Sequence, residues 1–210
     1  MKSRLRVWKW GFLISSLAMI SGCATLNEEE CQMADWQAIG YEDGVKGAGA
    51  GRIGKHRSAC AKHGVTPNFE HYQAGRAQGL RVFCQPGNGF RIGHAGRAYS
   101  GICPKDLEPG FLNAYSIGRE IYLAKSVISK MKQELENKHQ ELHLLEESLL
   151  AREAQLVGKH GSFTDRAHLL LEIKDMNQAQ GQLEAEIIQL EKDIAMSDQE
   201  LMMLTTRHGY

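Results

Sequence analysis

IGREIYLAKSVISKMKQELENKHQELHLLEESLLAREAQL, residues 117–156, decides the fold. Ile117, Ile121, Ala124, Ile128, Met131, Leu135, Lys138, Leu142, Leu145, Leu149, Arg152 and Leu156 follow one another at alternating steps of four and three. Ten of these twelve positions are apolar, and a seam that regular over five heptads predicts a long helix packed on a partner helix. A second series repeats the pattern: Leu169, Ile173, Met176, Gln180, Leu183, Ile187, Leu190, Ile194, Ser197, Leu201 and Leu204. Between the two series, Gly158 can end the first helix, and Ser162 with Asp165 has capping-box spacing for the second, with Thr164 as a competing cap. Two arms of matched length joined by a short break predict an antiparallel coiled-coil hairpin over 117–206, turning near 158–164. The competing arrangement is one long interrupted helix that dimerises.

Upstream, residues 31–116 are rich in glycine and poor in apolar runs. Tyr72-Gln-Ala-Gly75-Arg76-Ala-Gln-Gly79-Leu80 aligns with Tyr115-Ser-Ile-Gly118-Arg119-Glu-Ile-Tyr122-Leu123, both reading Y-x-x-G-R-x-x-[GY]-L. A third stretch, from Gln37 through Gly40 and Gly44 to Val45, keeps the glycine spacing without the Tyr and Arg. Glycines three to four apart predict short helices whose backbones approach closely. Each helical glycine costs about 1 kcal/mol relative to alanine, so packing or cross-links must offset it. The fold class is therefore mainly α: a small glycine-rich module of short helices and loops, stapled by disulfides, followed by the hairpin.

The N-terminus carries an address. Lys2, Arg4, Arg6 and Lys9 precede an apolar run from Trp10 to Ile20, which leads into Ser21-Gly22-Cys23. The run is shorter than the roughly 20 residues needed to span a bilayer and has the layout of a lipoprotein signal. Residues 1–22 are expected to be removed, with Cys23 lipidated and 23–30 serving as a linker. By the sorting pattern of the lipoproteins that this signal resembles, Ala24 after the cysteine implies the outer membrane rather than the inner.

Four further cysteines, Cys31, Cys60, Cys84 and Cys103, all precede residue 104. In an exported chain an even set of this kind implies two disulfides. Three pairings are possible and the sequence does not choose among them; the sequential one, Cys31–Cys60 with Cys84–Cys103, is the working expectation. No C-x-x-C pair is present, and the spacings of 29, 24 and 19 do not suggest zinc.

The formal net charge of zero hides a segregation: residues 45–105 sum to +9, with Glu70 their sole acid, while 106–210 sum to −7. Arg52, Lys55, Arg57, Arg76, Arg81, Arg91 and Arg97 lie among glycines, where guanidinium forks and open backbone N–H groups suit phosphate or carboxylate. These seven are the anion-binding candidates. Beside a membrane their ligands would be anionic lipid headgroups, lipopolysaccharide phosphates or acidic cell-wall groups. Nucleic acid fits the charge but not the address. The bland alternative is that the basic region pairs with the chain's own acidic hairpin.

Other chemistry is thin. Gly49-Ala-Gly51-Arg-Ile-Gly54-Lys55-His56 nearly spells a phosphate loop, but His56 stands where the magnesium-binding hydroxyl belongs and no apolar strand leads in. A basic loop is the plainer expectation there. His139 and His143 lack a third ligand and read as solvated helix positions. His56, His63, His71 and His94 read as added charge at low pH. No acid–base or nucleophile set emerges, so no enzyme activity, cofactor or metal is expected.

The lipidation signal, the bracketed cysteines, the Y-x-x-G-R units at Tyr72 and Tyr115 and the helical tail together resemble a family of uncharacterised Gram-negative lipoproteins, a domain of unknown function. The resemblance extends to about residue 123. It implies an envelope location and supplies no mechanism. The expected role is a non-catalytic binding or scaffolding module at the outer membrane, facing the periplasm. Its hairpin would engage a protein partner or a second copy. The alternative is a cell-wall or envelope-remodelling enzyme, or its activator.

Overall fold

The computed structural model describes residues 26–158 and 161–209. The expected lipoprotein signal, Cys23 and residues 159–160 lie outside them. Among the described residues seven α-helices follow in order: α1 Glu28–Gln32, α2 Trp36–Val45, α3 Arg52–Cys60, α4 Phe69–Phe83, α5 Pro86–His94, α6 Glu108–Val157 and α7 Phe163–His208. A 3₁₀ turn, Ala61–His63, extends α3.

The glycine-rich module is one helix pair built twice. In the first, Gly40 and Gly44 of α2 meet Gly75 and Gly79 of α4; a Cβ on any of the four would lie within 3.0 Å of the opposite backbone. In the second, Gly89 and Gly93 of α5 meet α6 at Phe111, Tyr115 and Gly118 under the same constraint. Close contact between bare backbones returns the dispersion and weak Cα–H···O attraction that offset the helix-propensity cost of glycine. The stretch from Gln37 to Val45 is therefore not a third copy of the Y-x-x-G-R helix. It is the partner of the first copy, and its counterpart is α5.

The equivalence extends to the helix ends. Gly47 after α2 and Gly96 after α5 both take φ of +70°, a conformation costly for residues with a Cβ. Ala48 N–H donates to the Asp43 carbonyl at 2.8 Å, and Arg97 N–H to the Ile92 carbonyl at 3.1 Å. Each Y-x-x-G-R arginine then clasps that turn. Arg76 Nη2 donates to the Ala48 carbonyl at 2.8 Å. Arg119 Nη1 donates to the Gly96 carbonyl at 2.7 Å. An aromatic ring covers each turn glycine, Phe83 over Gly47 and Tyr122 over Gly96.

Two apolar clusters fill the module. Trp36 and Tyr72 gather round the Cys31–Cys60 disulfide, which ties α1 to the end of α3. Leu80, Ile92 and Phe111 gather round Cys84–Cys103, which ties α4 to the loop after α5. The sequential pairing is the one formed. Sulfur and aromatic side chains supply much of a core too small to rely on aliphatics alone.

α6 belongs to both regions. It starts at Glu108, packs its first turns on α5, and runs unbroken through residue 116 into the hairpin. At 1.5 Å per residue its 50 residues extend about 75 Å. α7 returns antiparallel, as Lys132–Asp198, Lys138–Glu186 and Arg152–Glu172 record at 3.0, 2.8 and 3.4 Å. Ile121, Ile128, Leu149, Leu183, Ile187 and Ile194 of the heptad series form its buried seam. Ser162 caps α7 in a reciprocal box with Asp165, and the Ser162 hydrogen bonds hold that carboxyl below its usual range.

Candidate functional site: a buried carboxylate that seats a basic helix

Residues 49–56, expected as a basic loop, are helical from Arg52 onward. Ile53, His56 and Cys60 recur at helical spacing and turn inward, while Lys55, Arg57 and Ser58 face solvent. Cys60 ties the end of α3 to α1 and Ile53 packs on the same apolar cluster, while a buried polar cluster fixes the middle of the helix. His56 Nε2 lies 2.7 Å from Asp43 Oδ2, and the Tyr72 hydroxyl donates to the same oxygen at 2.8 Å. Arg52 Nε stands 3.7 Å from Asp43 Oδ1. Asp43 and His56 are 7% and 4% exposed, so neither adds free charge to the surface. Burial, then the Asp43 hydrogen bond, push the Tyr72 phenol far above its ordinary range and keep it a neutral donor.

This cluster joins α2, α3 and α4 through one carboxylate. Its chemistry is positional: a buried carboxylate that accepts from Tyr72, meets the His56 ring and pairs with Arg52 helps to hold α3 in place. Sequence reading missed it because the count of acids over 45–105 begins two residues past Asp43. His56, expected to add charge at low pH, is buried against Asp43. The available signals were the tyrosine of the first Y-x-x-G-R unit and an aspartate inside a glycine-spaced helix.

The seven anion candidates do not converge on a single pocket. Arg52, Lys55 and Arg57 share α3, with Lys62 one turn beyond. Arg76 is committed to the Ala48 carbonyl. Arg81 pairs with Asp106 at 3.2 Å, and Arg91 donates to Asn88 at 2.6 Å. Arg97 is exposed in the loop after α5. The four disulfide cysteines are paired as above, and Cys23 lies outside the described residues.

The surface of α3 has two further properties. Gly51 and Gly54 have open space where a Cβ would stand, unlike the packed glycines of α2, α4 and α5. Beside them runs a largely apolar groove of about 410 Å³ lined by Gly51, Ile53, Gly54, Arg57, Pro67 and Phe69. From Gly44 to Phe69 the chain contains no acid. Among the described residues no set of His, Cys, Asp and Glu gathers to hold a metal ion.

A family profile described as a protein of unknown function (DUF2799) matches residues 35–120. The match covers both glycine-stitched helix pairs and stops as α6 leaves the module. No curated protein and no solved structure matches the chain.

Proposed function

We propose that this chain is a lipoprotein of the outer membrane, anchored through Cys23 and facing the periplasm. It serves as a non-catalytic binding and scaffolding module of the envelope. The basic module engages anionic groups close to the anchor, and the hairpin is an arm for a protein partner or a second copy. The observation that carries this reading is α3. Lys55, Arg57 and Lys62 stand exposed on an acid-free stretch, held outward by the Asp43 cluster.

Two further features support it. Three hairpin acids, Asp198, Glu186 and Glu172, pair across the hairpin with Lys132, Lys138 and Arg152 rather than with α3. The two disulfides suit an oxidising compartment, in keeping with the signal ending at Cys23.

Labelled fatty acid should enter the wild-type chain in cells, and Cys23→Ser should abolish both incorporation and membrane fractionation. Binding of the purified chain to lipopolysaccharide should fall steeply as salt rises, since exposed charges are screened within about 10 Å at 0.1 M. Salt-independent binding, or none, would contradict the anion reading.

A further inference from the structure

We infer that the exposed side of α3, together with Phe69 and its groove, is a membrane-contacting face that lies on the anionic headgroups of the bilayer holding the anchor. The inference rests on the anchored reading above and deepens it. It assigns to one face, and to one class of ligand, what the charge count spreads over the whole module.

The first argument is where the chain enters the fold. Leu26 packs on the cluster of Trp36, Cys60 and Tyr72, and its carbonyl lies 3.9 Å from Cys31 Sγ. Glu28 reaches His63, just past α3, at 3.6 Å. Cys23 is three residues from Leu26, and an extended chain covers no more than about 11 Å in three residues. Acyl chains on Cys23 are therefore tethered within about 11 Å of Leu26, whose cluster includes Cys60 at the C-terminal end of α3, so a bilayer holding them is within reach of that helix.

The second argument is chemical complementarity. Lys55 and Lys62 lie along α3 and its 3₁₀ extension in a row with Gly51, Gly54 and Ser58. Arg57 is displaced to the groove side, toward Phe69. Lys55, Arg57 and Lys62 are spread along a surface, which suits an array of headgroups better than one enclosed phosphate. Phe69 is 58% exposed beside them, an apolar ring next to cations, where it can enter the headgroup layer. Glycine at positions 51 and 54, with nothing packed on either, leaves the backbone free to approach that layer. The occupant is a lipid surface, because the anchor supplies one at this end of α3.

The test uses residues 23–210 with Cys23→Ser, so that no acyl chain contributes. Sedimentation with vesicles compares phosphatidylcholine alone with phosphatidylcholine containing phosphatidylglycerol. The chain should bind the mixed vesicles only. Joint Lys55→Gln, Arg57→Gln and Lys62→Gln should weaken that binding about a hundredfold, given the contribution of each basic residue at an anionic surface. Lys130→Gln, Lys174→Gln and Lys192→Gln together, which remove the same charge from the hairpin, should leave it within a fewfold. Phe69→Trp should shift its emission to the blue on mixed vesicles and not with inorganic phosphate.

Equal losses from the two sets of substitutions would overturn the assignment to α3 and leave the anion reading standing. Binding to lipopolysaccharide or cell-wall fragments without binding to mixed vesicles would overturn the lipid surface alone. Binding to none of these would overturn both. Circular dichroism and thermal unfolding of each variant separate a lost fold from a lost contact.

Discussion

Gly75 on α4 presses against the carbonyl oxygen of Gln37 on α2, leaving no space for a methyl group between the two helices. The contact repeats at Gly40, Gly44 and Gly79, and again at Gly89, Gly93 and Gly118 in the second pair. Backbone proximity, rather than interdigitated side chains, sets the distance between these helices.

Gly75→Ala should therefore cost about 1–3 kcal/mol or more, because the added carbon can only be accommodated by separating the helices. Gly93→Ala should behave alike in the second pair. Gly54→Ala, where the added carbon meets open space, should instead stabilise by roughly 0.5–1 kcal/mol. Urea unfolding with the disulfides intact measures all three, and equal effects at Gly75 and Gly54 would refute the packing argument.

Asp43→Asn should destabilise the module by about 1–3 kcal/mol, since His56 and Tyr72 lose the charged acceptor between them. Alkaline pH provides an independent readout. The folded Tyr72 pKa lies above its unfolded value of about 10, so its contribution is complete below that pH. It is lost as pH rises further, because the unfolded chain releases the proton first. Stability should thus fall above pH ~10, and Tyr72→Phe should flatten that fall. Tyr99, whose phenol is also raised by burial, should retain part of the slope.

Replacing Cys31 and Cys60 by serine should cost about 3–4 kcal/mol, and replacing Cys84 and Cys103 slightly less, from loops of 29 and 19 residues. Non-reducing peptide mapping should recover Cys31 with Cys60 and Cys84 with Cys103. A crossed pair would contradict the two-cluster core.

In the hairpin, Leu183→Ala should cost about 2–5 kcal/mol, whereas Leu171→Ala, 59% exposed, should change little. Ser162→Ala should cost about 1 kcal/mol by leaving the first turn of α7 uncapped. Hydrogen exchange localises both losses to α6 and α7 if the hairpin is a cooperative unit of its own.

The hairpin is legible in the primary structure because its information is local. Heptads at Ile121, Ile128, Leu183 and Ile187 mark their own buried face, and Ser162 with Asp165 marks its own cap. The module is harder to read. Gly40 and Gly75 each signal a close approach without naming the surface approached. The buried face of α3 is carried by Ile53, His56 and Cys60, with too few apolar residues for periodicity to outweigh its glycines and bases, so residues 49–56 look like a loop.

The helical class, the two-armed tail with its turn, and the cysteines available for cross-linking are written locally in the chain, because helix periodicity and capping act over a few residues. Tertiary structure alone decided which glycine faces meet, that the Gly40–Gly44 helix is a partner and not a third repeat, and that Asp43 takes His56 and Tyr72. Those partners stand 13 and 29 residues away from Asp43 in the chain. Only the packing of α2, α3 and α4 brings them to one carboxylate oxygen, and burial there turns a histidine and a tyrosine of ordinary sequence context into the mount for the basic helix.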